Sequence, residues 1–168
     1  MKLESHSPEQ TQLLGNYLGA LSQKADVFLL IGELGTGKTC LVQGIAQGLA
    51  VKEYAFSPSF VILREYHGQL PLYHIDFYRL DSIDEIADLG LDDYFYGDGV
   101  CAVEWAEKAL QILPSDNLLI KLHYVPDSPA KRSICLEPQG ERYLKLVEQL
   151  KKERNILTVK GNGGRSGF

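Results

Sequence analysis

The chain has 168 residues, of which 45% are hydrophobic and 23% are charged, and its formal net charge is −5. These values are typical of a single globular domain, and they argue against an extended nucleic-acid surface, which needs clustered lysine and arginine. No apolar run approaches the ~20 residues of a membrane span, and the N-terminal MKLESHSPEQ lacks an apolar signal core, so we expect a cytoplasmic protein without membrane contact.

The first predicted helix begins near residue 8. Ser7 is a favourable cap and Pro8 a favourable first helical residue, and Gln10 follows three positions after the cap. An apolar stripe at helical spacing follows, formed by Leu13, Leu14, Tyr17, Leu18 and Leu21. Thr11 lies on the opposite side of this helix, just before the next strand, and we predict that it approaches a nucleotide base.

The stretch Gly32–Thr39 reads GELGTGKT and fits G-x-x-x-x-G-K-[ST], the loop that cradles the phosphates of a nucleoside triphosphate. Val27–Ile31 before it is an apolar run typical of a buried parallel strand. Thr39–Leu49 after it has apolar residues at helical spacing and no proline. Strand, glycine loop and helix together are the context that the motif requires, so we predict a nucleotide-binding loop.

The residue types of this loop suit a polyphosphate with its metal. Gly35 and Gly37 let main-chain N–H groups approach an anion closely, and the helix that follows adds further N–H groups and the positive end of its dipole. Lys38 supplies a positive charge toward the outer phosphates, and the hydroxyl of Thr39 is a ligand for Mg²⁺.

Cysteine usage indicates reduced thiols. Cys40, Cys101 and Cys135 are an odd number, lie far apart and have no metal-binding spacing, so we expect neither a disulfide nor a metal cluster. Because Cys40 lies beside a helix N-terminus, its thiol is a candidate for a lowered pKa and for oxidation.

The segment 55–60 is predicted to be a loop, because Pro58 has no N–H and restricts the residue before it. In phosphate-loop proteins the segment after the first helix often passes the γ-phosphate. Ser57 and Ser59 are therefore either hydroxyls that sense the metal or the attacking water, or parts of a plain turn.

Two strands are predicted at residues 61–66 and 72–77, joined by a short loop. Asp76 comes at the end of the second, where a nucleotide-binding fold places a metal or water ligand. Asp76 can equally form a surface ion pair with Arg79, and His74 is more typical of a hydrogen-bonded core histidine than of a catalyst.

An acidic segment follows. Ser82–Glu85 is a capping box that predicts a short helix ending near Gly90. The acidic residues here are Asp81, Asp84, Glu85, Asp88, Asp92, Asp93 and Asp98. They form either a solvated face or a docking face for a basic partner.

A further apolar strand, residues 99–105, also ends in an acid. Glu104 follows small apolar residues that suit the interior of a parallel sheet, so it competes with Asp76 for the role of metal ligand. Trp105 is assigned to the edge of the core, and a helix is predicted over 106–113, before Pro114.

The remainder predicts an antiparallel addition, with strands at 118–125 and 132–136, and a last helix at 141–152. Lys131 and Arg132, at the turn of this addition, either reach the nucleotide or are solvated.

These elements predict an α/β fold: a single P-loop NTPase domain over residues 1–154, with a central mixed sheet. The sheet has a parallel nucleotide-binding core and antiparallel additions, with helices on both faces. Residues 155–168 are glycine-rich and are expected to form a flexible tail.

Five motifs in this order and spacing, GELGTGKT, SPSF, HIDFYR, DEIADLGLDDYF and AVEWAE, resemble one family over roughly residues 7–137. It is the TsaE family, bacterial ATPases of tRNA threonylcarbamoyladenosine biosynthesis. The resemblance implies weak hydrolysis of ATP to ADP with Mg²⁺, in concert with two glycoprotease-like threonylcarbamoyl-transfer proteins, TsaD and TsaB. Contact with tRNA would then be indirect, through these partners.

The resemblance also implies roles for individual residues. Those that it assigns to nucleotide binding are Glu33, Leu34, Gly35, Thr36, Gly37, Lys38, Thr39, Cys40 and Arg132. It assigns Thr39 and Glu104 to Mg²⁺ and makes Asp76 necessary for hydrolysis. Two positions depart from the family pattern, since Ser59 and Cys40 stand where threonines are usual.

Two other functions fit the same loop. A small-molecule kinase needs an acceptor pocket and usually an arginine-rich lid. A non-catalytic switch needs only ATP and ADP forms that differ in affinity for a partner. A GTPase is disfavoured, because the sequence has no [NT]-K-x-D guanine-reading motif.

Overall fold

A computed structural model describes residues 1–153; the predicted tail at 155–168 lies outside them. In chain order the strands are β1 (Lys2–Ser5), β2 (Val27–Ile31), β3 (Leu63–Tyr66), β4 (Leu72–Asp76), β5 (Val100–Glu104), β6 (Asn117–Val125) and β7 (Ser128–Gln139). The helices are α1 (Pro8–Ala20), α2 (Lys38–Gly48), α3 (Ile83–Ala87), α4 (Asp92–Phe95) and α5 (Glu141–Lys152), with a 3₁₀ helix at Ala106–Lys108.

The strands form one sheet in the order β1-β7-β6-β2-β5-β4-β3. β2 lies parallel to both β5 and β6, and β4 lies parallel to β5. β3, β7 and β1 are antiparallel to their neighbours. The predicted mixed sheet, with a parallel core and antiparallel additions, is confirmed.

Helices cover both faces because the central strands are apolar on both sides. Along β2, Phe28 and Leu30 belong to the cluster that contains the buried residues of α1, α2 and α5, whereas Val27 and Leu29 belong to the other. That second cluster takes in buried residues of α3, α4 and the 3₁₀ helix. Alternate residues of a strand point to opposite faces, so one five-residue run contributes to two cores.

No helix within residues 1–153 has the length and apolar character needed to cross a bilayer.

Several boundaries differ from the sequence prediction. The helix predicted at 106–113 is wrong: the 3₁₀ helix ends at Lys108, and Ala109 leaves helical geometry with φ −144°. β3 begins at Leu63 rather than Val61, because Ile62 has φ 67° and belongs to a turn. β1 and α4 were not predicted. The helix at 141–152 was predicted, and so was α3, although α3 ends at Ala87 rather than near Gly90; Ser7 and Ser82 cap α1 and α3 as expected.

All seven acids of the segment 81–98 are exposed. No basic residue lies in that segment, whose seven negative charges exceed the net charge of the whole chain. Residues 81–98 are therefore an exposed acidic segment, in which Asp98 pairs with Lys24 at 2.9 Å.

Helices α1 and α2 touch through their backbones, since glycines lie where they cross. A Cβ added at Gly15 would lie 2.2 Å from the carbonyl oxygen of Leu41, and one added at Gly44 would lie 2.1 Å from that of Gln12. Both distances are shorter than any real contact, so only glycine permits this approach.

Replacing Gly15 by alanine is therefore expected to lower the free energy of unfolding by about 1–2 kcal/mol. Alanine gains up to ~1 kcal/mol of helix propensity over glycine, but overpacking costs about 1–3 kcal/mol and the opposing atom is backbone, which cannot rotate away. Urea unfolding measures the change. Gln47→Ala, at an exposed position of α2, is the control, and equal midpoints for the two variants would contradict the close-packing argument.

Candidate nucleotide-binding site

The loop between β2 and α2 contains three glycines with unusual backbone angles. Gly32, Gly35 and Gly37 have φ of 155°, 78° and 103°, values that side-chain-bearing residues rarely adopt. A Cβ at Gly32 would come within 2.5 Å of the Leu122 carbonyl oxygen, so the loop also lies directly on β6. Gly37 caps α2, whose free N–H groups and dipole face the loop; this is the arrangement that binds phosphates.

Lys38 is held inside this loop and is only 4% exposed. Its Nζ donates hydrogen bonds to the carbonyl oxygens of Gly32 at 2.6 Å and Glu33 at 2.9 Å. It also lies 4.0 Å from the centre of the Trp105 ring. Burial lowers the pKa of Lys38, and the nearby Glu104 carboxylate opposes that shift. The ammonium is thus fixed at the centre of the loop.

Thr39 and Glu104 meet beside the phosphate loop. The Thr39 hydroxyl donates to Oε1 of Glu104 at 2.7 Å, which joins the first turn of α2 to the end of β5. Glu104 is 3% exposed, and the same Oε1 lies 2.8 Å from Nε2 of the fully buried His74. A hydroxyl has one donor and two lone pairs, so Thr39 keeps acceptor capacity for a cation while it binds Glu104.

Asp76 lies next to Glu104 in the parallel register of β4 and β5. Its Oδ2 accepts hydrogen bonds from the hydroxyls of Ser57 at 2.8 Å and Ser59 at 3.0 Å, and its Oδ1 accepts from the Tyr78 N–H at 2.8 Å. Asp76 is 3% exposed. The two acids therefore differ in their partners: Glu104 binds the hydroxyl that follows the lysine, and Asp76 binds the 57–59 loop.

These groups line one cavity of about 460 Å³. Its wall contains Leu34, Gly35, Gly37, Lys38, Thr39, Cys40, Ser57, Ser59, Phe60, Asp76, Tyr78, Arg79, Glu104 and Trp105. Arg79 does not pair with Asp76, the alternative considered from the sequence; its guanidinium lies 4.1 Å from the centre of the Phe60 ring. Leu34 and Phe60, at 70% and 82% exposure, form an apolar rim.

Arg132 packs on the outside of the phosphate loop. Its Nε donates to the Thr36 carbonyl oxygen at 3.1 Å, and its Nη2 donates to that of Gly35 at 3.3 Å. The guanidinium lies 4.5 Å from the ring centre of Tyr124, whose hydroxyl donates to the Leu34 carbonyl oxygen at 2.7 Å. Lys131 and Arg132, predicted to lie at a turn, both belong to β7 and are half-buried; of the two, Arg132 contacts the loop.

A smaller cavity, about 230 Å³, lies on the α1 side of the loop and is lined in part by Thr11, Gly37, Cys40 and Arg132. Thr11 is 2% exposed, and its hydroxyl shares a 2.8 Å hydrogen bond with that of Ser5. Its methyl carbon, Cγ2, would lie 3.9 Å from a Cβ built on Gly37. Thr11 thus lies beside the loop, with its hydroxyl turned toward β1.

Comparison with known proteins identifies the family to which this chain belongs. The family model described as "Threonylcarbamoyl adenosine biosynthesis protein TsaE" matches residues 5–134. The chain belongs to the TsaE family. The matched range contains the phosphate loop, Asp76, Glu104 and Arg132.

Two relatives named tRNA threonylcarbamoyladenosine biosynthesis protein TsaE align with most of the chain. The protein of Bacillus subtilis is 41% identical over 157 residues, which cover 93% of this chain and 97% of the relative. That of Haemophilus influenzae is 33% identical over 143 residues, which cover 84% and 82%. The crystal structure of Bacillus subtilis YdiB has a TM-score of 0.80 at 37% identity and covers 92% of this chain and 96% of its own.

One expectation about this TsaE chain is wrong. Cys40 was a candidate for a lowered thiol pKa because of the helix N-terminus, but burial and the nearby Glu9 carboxylate raise that pKa. Its Sγ donates to the Pro8 carbonyl oxygen at 3.2 Å. Desolvation and a negative neighbour disfavour the thiolate, which the sequence pattern alone does not reveal.

Two residues of the TsaE site were assigned only packing roles in the sequence analysis. Trp105, assigned to the edge of the core, has φ 59° and places its ring against Lys38. His74, interpreted as a core histidine, contacts Glu104. Both lie within two residues of an acid at the carboxyl edge of the sheet, and that position is the signal that would have marked them.

Proposed function

We propose that this protein is a Mg²⁺-dependent ATPase that acts in the formation of threonylcarbamoyladenosine in tRNA. Membership of the TsaE family and the names of the relatives support the pathway. The phosphate loop, formed by Gly32–Thr39, supports binding of a nucleoside triphosphate. The observation that carries the proposal is the contact between Thr39 and Glu104 at the mouth of that loop.

The oxygens of Thr39 and Glu104 suit Mg²⁺. This ion prefers oxygen ligands, keeps several waters and takes one or two carboxylates together with substrate phosphates. Within residues 1–153 no cluster of three or more histidine, cysteine or acidic side chains could enclose a metal. A sparse hydroxyl and carboxylate pair beside a phosphate loop favours Mg²⁺ shared with a nucleotide over a closed protein site.

In this proposal the ATP phosphates lie against the main-chain N–H groups of residues 35–39 and the start of α2. Lys38 supplies positive charge to the outer phosphates, and Thr39 with Glu104 holds the metal. Bound Mg²⁺ would neutralise charge that develops on the phosphate oxygens. Asp76, supported by Ser57 and Ser59, orients the attacking water; Arg132 fixes the loop from outside, and Thr11 borders the space for the base.

Hydrolysis by the isolated chain is proposed to be slow. In related phosphoryl-transfer reactions, positive charge supplied in trans raises the rate by about 10³ to 10⁵. Within residues 1–153, Arg132 hydrogen-bonds to the phosphate loop, and all three of its guanidinium nitrogens already donate to carbonyl oxygens. The partners proposed to complete the site are TsaD and TsaB in the cytoplasm. With a net charge of −5, this chain would depend on them to hold the tRNA.

The test is ATP hydrolysis by the purified chain with and without TsaD and TsaB from the same source, assayed together with tRNA threonylcarbamoylation. We expect at least about tenfold stimulation of hydrolysis by the partners, and loss of tRNA modification when this chain is left out. Bovine serum albumin in place of the partners is the control.

Other outcomes would select other functions. Full-speed hydrolysis by the chain alone would contradict the need for partners. Turnover that requires an added small acceptor would indicate a kinase. ATP-dependent partner binding and full tRNA modification in Asp76→Asn, without hydrolysis, would indicate a switch.

A further inference from the structure

His74 is buried in an unusual environment for a polar side chain. It lies at the centre of β4, where its backbone pairs with Arg64 of β3 and Ala102 of β5, and it is 0% exposed. Its neighbours on the same face of β4 are Leu72 and Asp76, since alternate residues share a face. An aliphatic residue would satisfy this position as packing.

Among the residues that the structure describes, the imidazole makes one polar contact, through Nε2, and Nδ1 is left unsatisfied. Nε2 lies 2.8 Å from Oε1 of Glu104, and because an ionised carboxylate can only accept, Nε2 is the donor. Within residues 1–153, the buried Nδ1 has no hydrogen-bond partner. A buried nitrogen without a partner is costly, so packing alone does not favour histidine at this position. What histidine provides here and an aliphatic residue could not is the hydrogen bond to Glu104.

That contact fixes the carboxylate which faces the phosphate loop. Oε1 of Glu104 is held from one side by the Thr39 hydroxyl at 2.7 Å and from the other by Nε2 of His74 at 2.8 Å. Thr39 belongs to the loop that meets the nucleotide, whereas His74 belongs to the rigid interior of the sheet. His74 is thus the anchor that does not depend on the ligand.

We propose that His74 is a positioning residue that holds Glu104 in the orientation needed to bind Mg²⁺ with the nucleotide. The inference rests on the proposed function, because it assumes the metal role of Thr39 and Glu104. Side chains that hydrogen-bond to metal ligands orient them, and their loss typically weakens metal binding by about 10- to 100-fold. His74 contacts neither phosphate nor metal in this proposal and acts through Glu104 alone.

The test compares His74→Leu with His74→Gln. Leucine fills a similar volume without a donor, whereas the glutamine amide can place an N–H near the position of Nε2. Binding of a non-hydrolysable ATP analogue is measured by calorimetry over a range of Mg²⁺ concentrations and again in EDTA. We expect His74→Leu to need about 10- to 100-fold more Mg²⁺ for half-maximal tightening of binding. We expect His74→Gln to lie within a few-fold of the natural chain, and all three to bind alike in EDTA.

Other outcomes would contradict either the positioning role of His74 or the proposed metal site. Unchanged Mg²⁺ dependence in His74→Leu, or equal losses in His74→Leu and His74→Gln, would overturn the positioning role. Weaker binding in EDTA would also overturn it, because the defect would then not be specific to the metal. If His74→Leu fails to fold, His74→Asn replaces it, since its shorter amide keeps polarity but falls short of Glu104. Absence of any Mg²⁺ effect in the natural chain would instead refute the proposed metal site.

Discussion

Replacement of Glu104 by alanine is expected to lower the rate of Mg²⁺-dependent ATP hydrolysis by about 100-fold or more. The variant loses the buried carboxylate that Thr39 and His74 both contact, and removing one preorganised electrostatic group from a reaction centre typically costs ~10² to 10³ in rate. Nucleotide binding in EDTA should change little, because the phosphate loop and Lys38 remain. Single-turnover hydrolysis in the presence of the partner proteins measures the rate, and calorimetry measures the binding.

The control for this variant is Glu65→Ala, which removes an exposed carboxylate from the edge strand β3. Its rate should stay within about twofold, since surface charges contribute little. If Glu104→Ala hydrolysed ATP at the natural rate, the metal site would have to be reassigned, and Asp76 would be the next residue to replace.

Replacement of Lys38 by methionine is expected to weaken binding of Mg²⁺-ADP and Mg²⁺-ATP by about 100-fold or more. Methionine keeps the apolar stem against Trp105 but removes the charge, and hydrogen bonds to charged groups contribute about 1.5–3 kcal/mol each. The ammonium also holds the carbonyls of Gly32 and Glu33, so its loss releases the loop as well. Calorimetric titration with each nucleotide measures the affinity.

Lys24→Met is the matched control, because Lys24 is exposed and pairs with Asp98, outside the nucleotide cavity. It should bind nucleotide with unchanged affinity. An affinity of Lys38→Met within about threefold of the natural chain would contradict a phosphate role for the lysine.

The parts of the fold that the sequence predicted well have strong local signals. β2 and β5 are unbroken apolar runs, and the loop after β2 has a motif with a strand and a helix on either side. β1 was missed because Lys2–Ser5 is short and mostly polar, and it forms a strand only by pairing with β7, more than 120 residues away in the chain. The false helix at 106–113 had apolar spacing, but Leu110 and Ile112 are exposed, so no packing favours a helix there.

The sequence predicted those residues of the site that lie at the ends of strands. Asp76 and Glu104 could be placed at one sheet edge, because parallel strands bring their carboxyl ends together. Which acid meets Thr39 depends on the register of β4 against β5 and on side-chain orientation, and neither is written in residue spacing. The fit of Arg132 against Gly35 and Thr36 depends on the long β6–β7 hairpin, and the contact of His74 with Glu104 depends on two strands distant in sequence.

The backbone contact of α1 with α2 has a mechanical consequence. Thr11 on α1 borders the cavity proposed for the base, and Thr39 on α2 borders the phosphates. With Gly15 and Gly44 at their crossing, the two helices pack backbone against backbone, which favours their movement as one unit. The two ends of a bound nucleotide would therefore contact a single packed unit made of two helices.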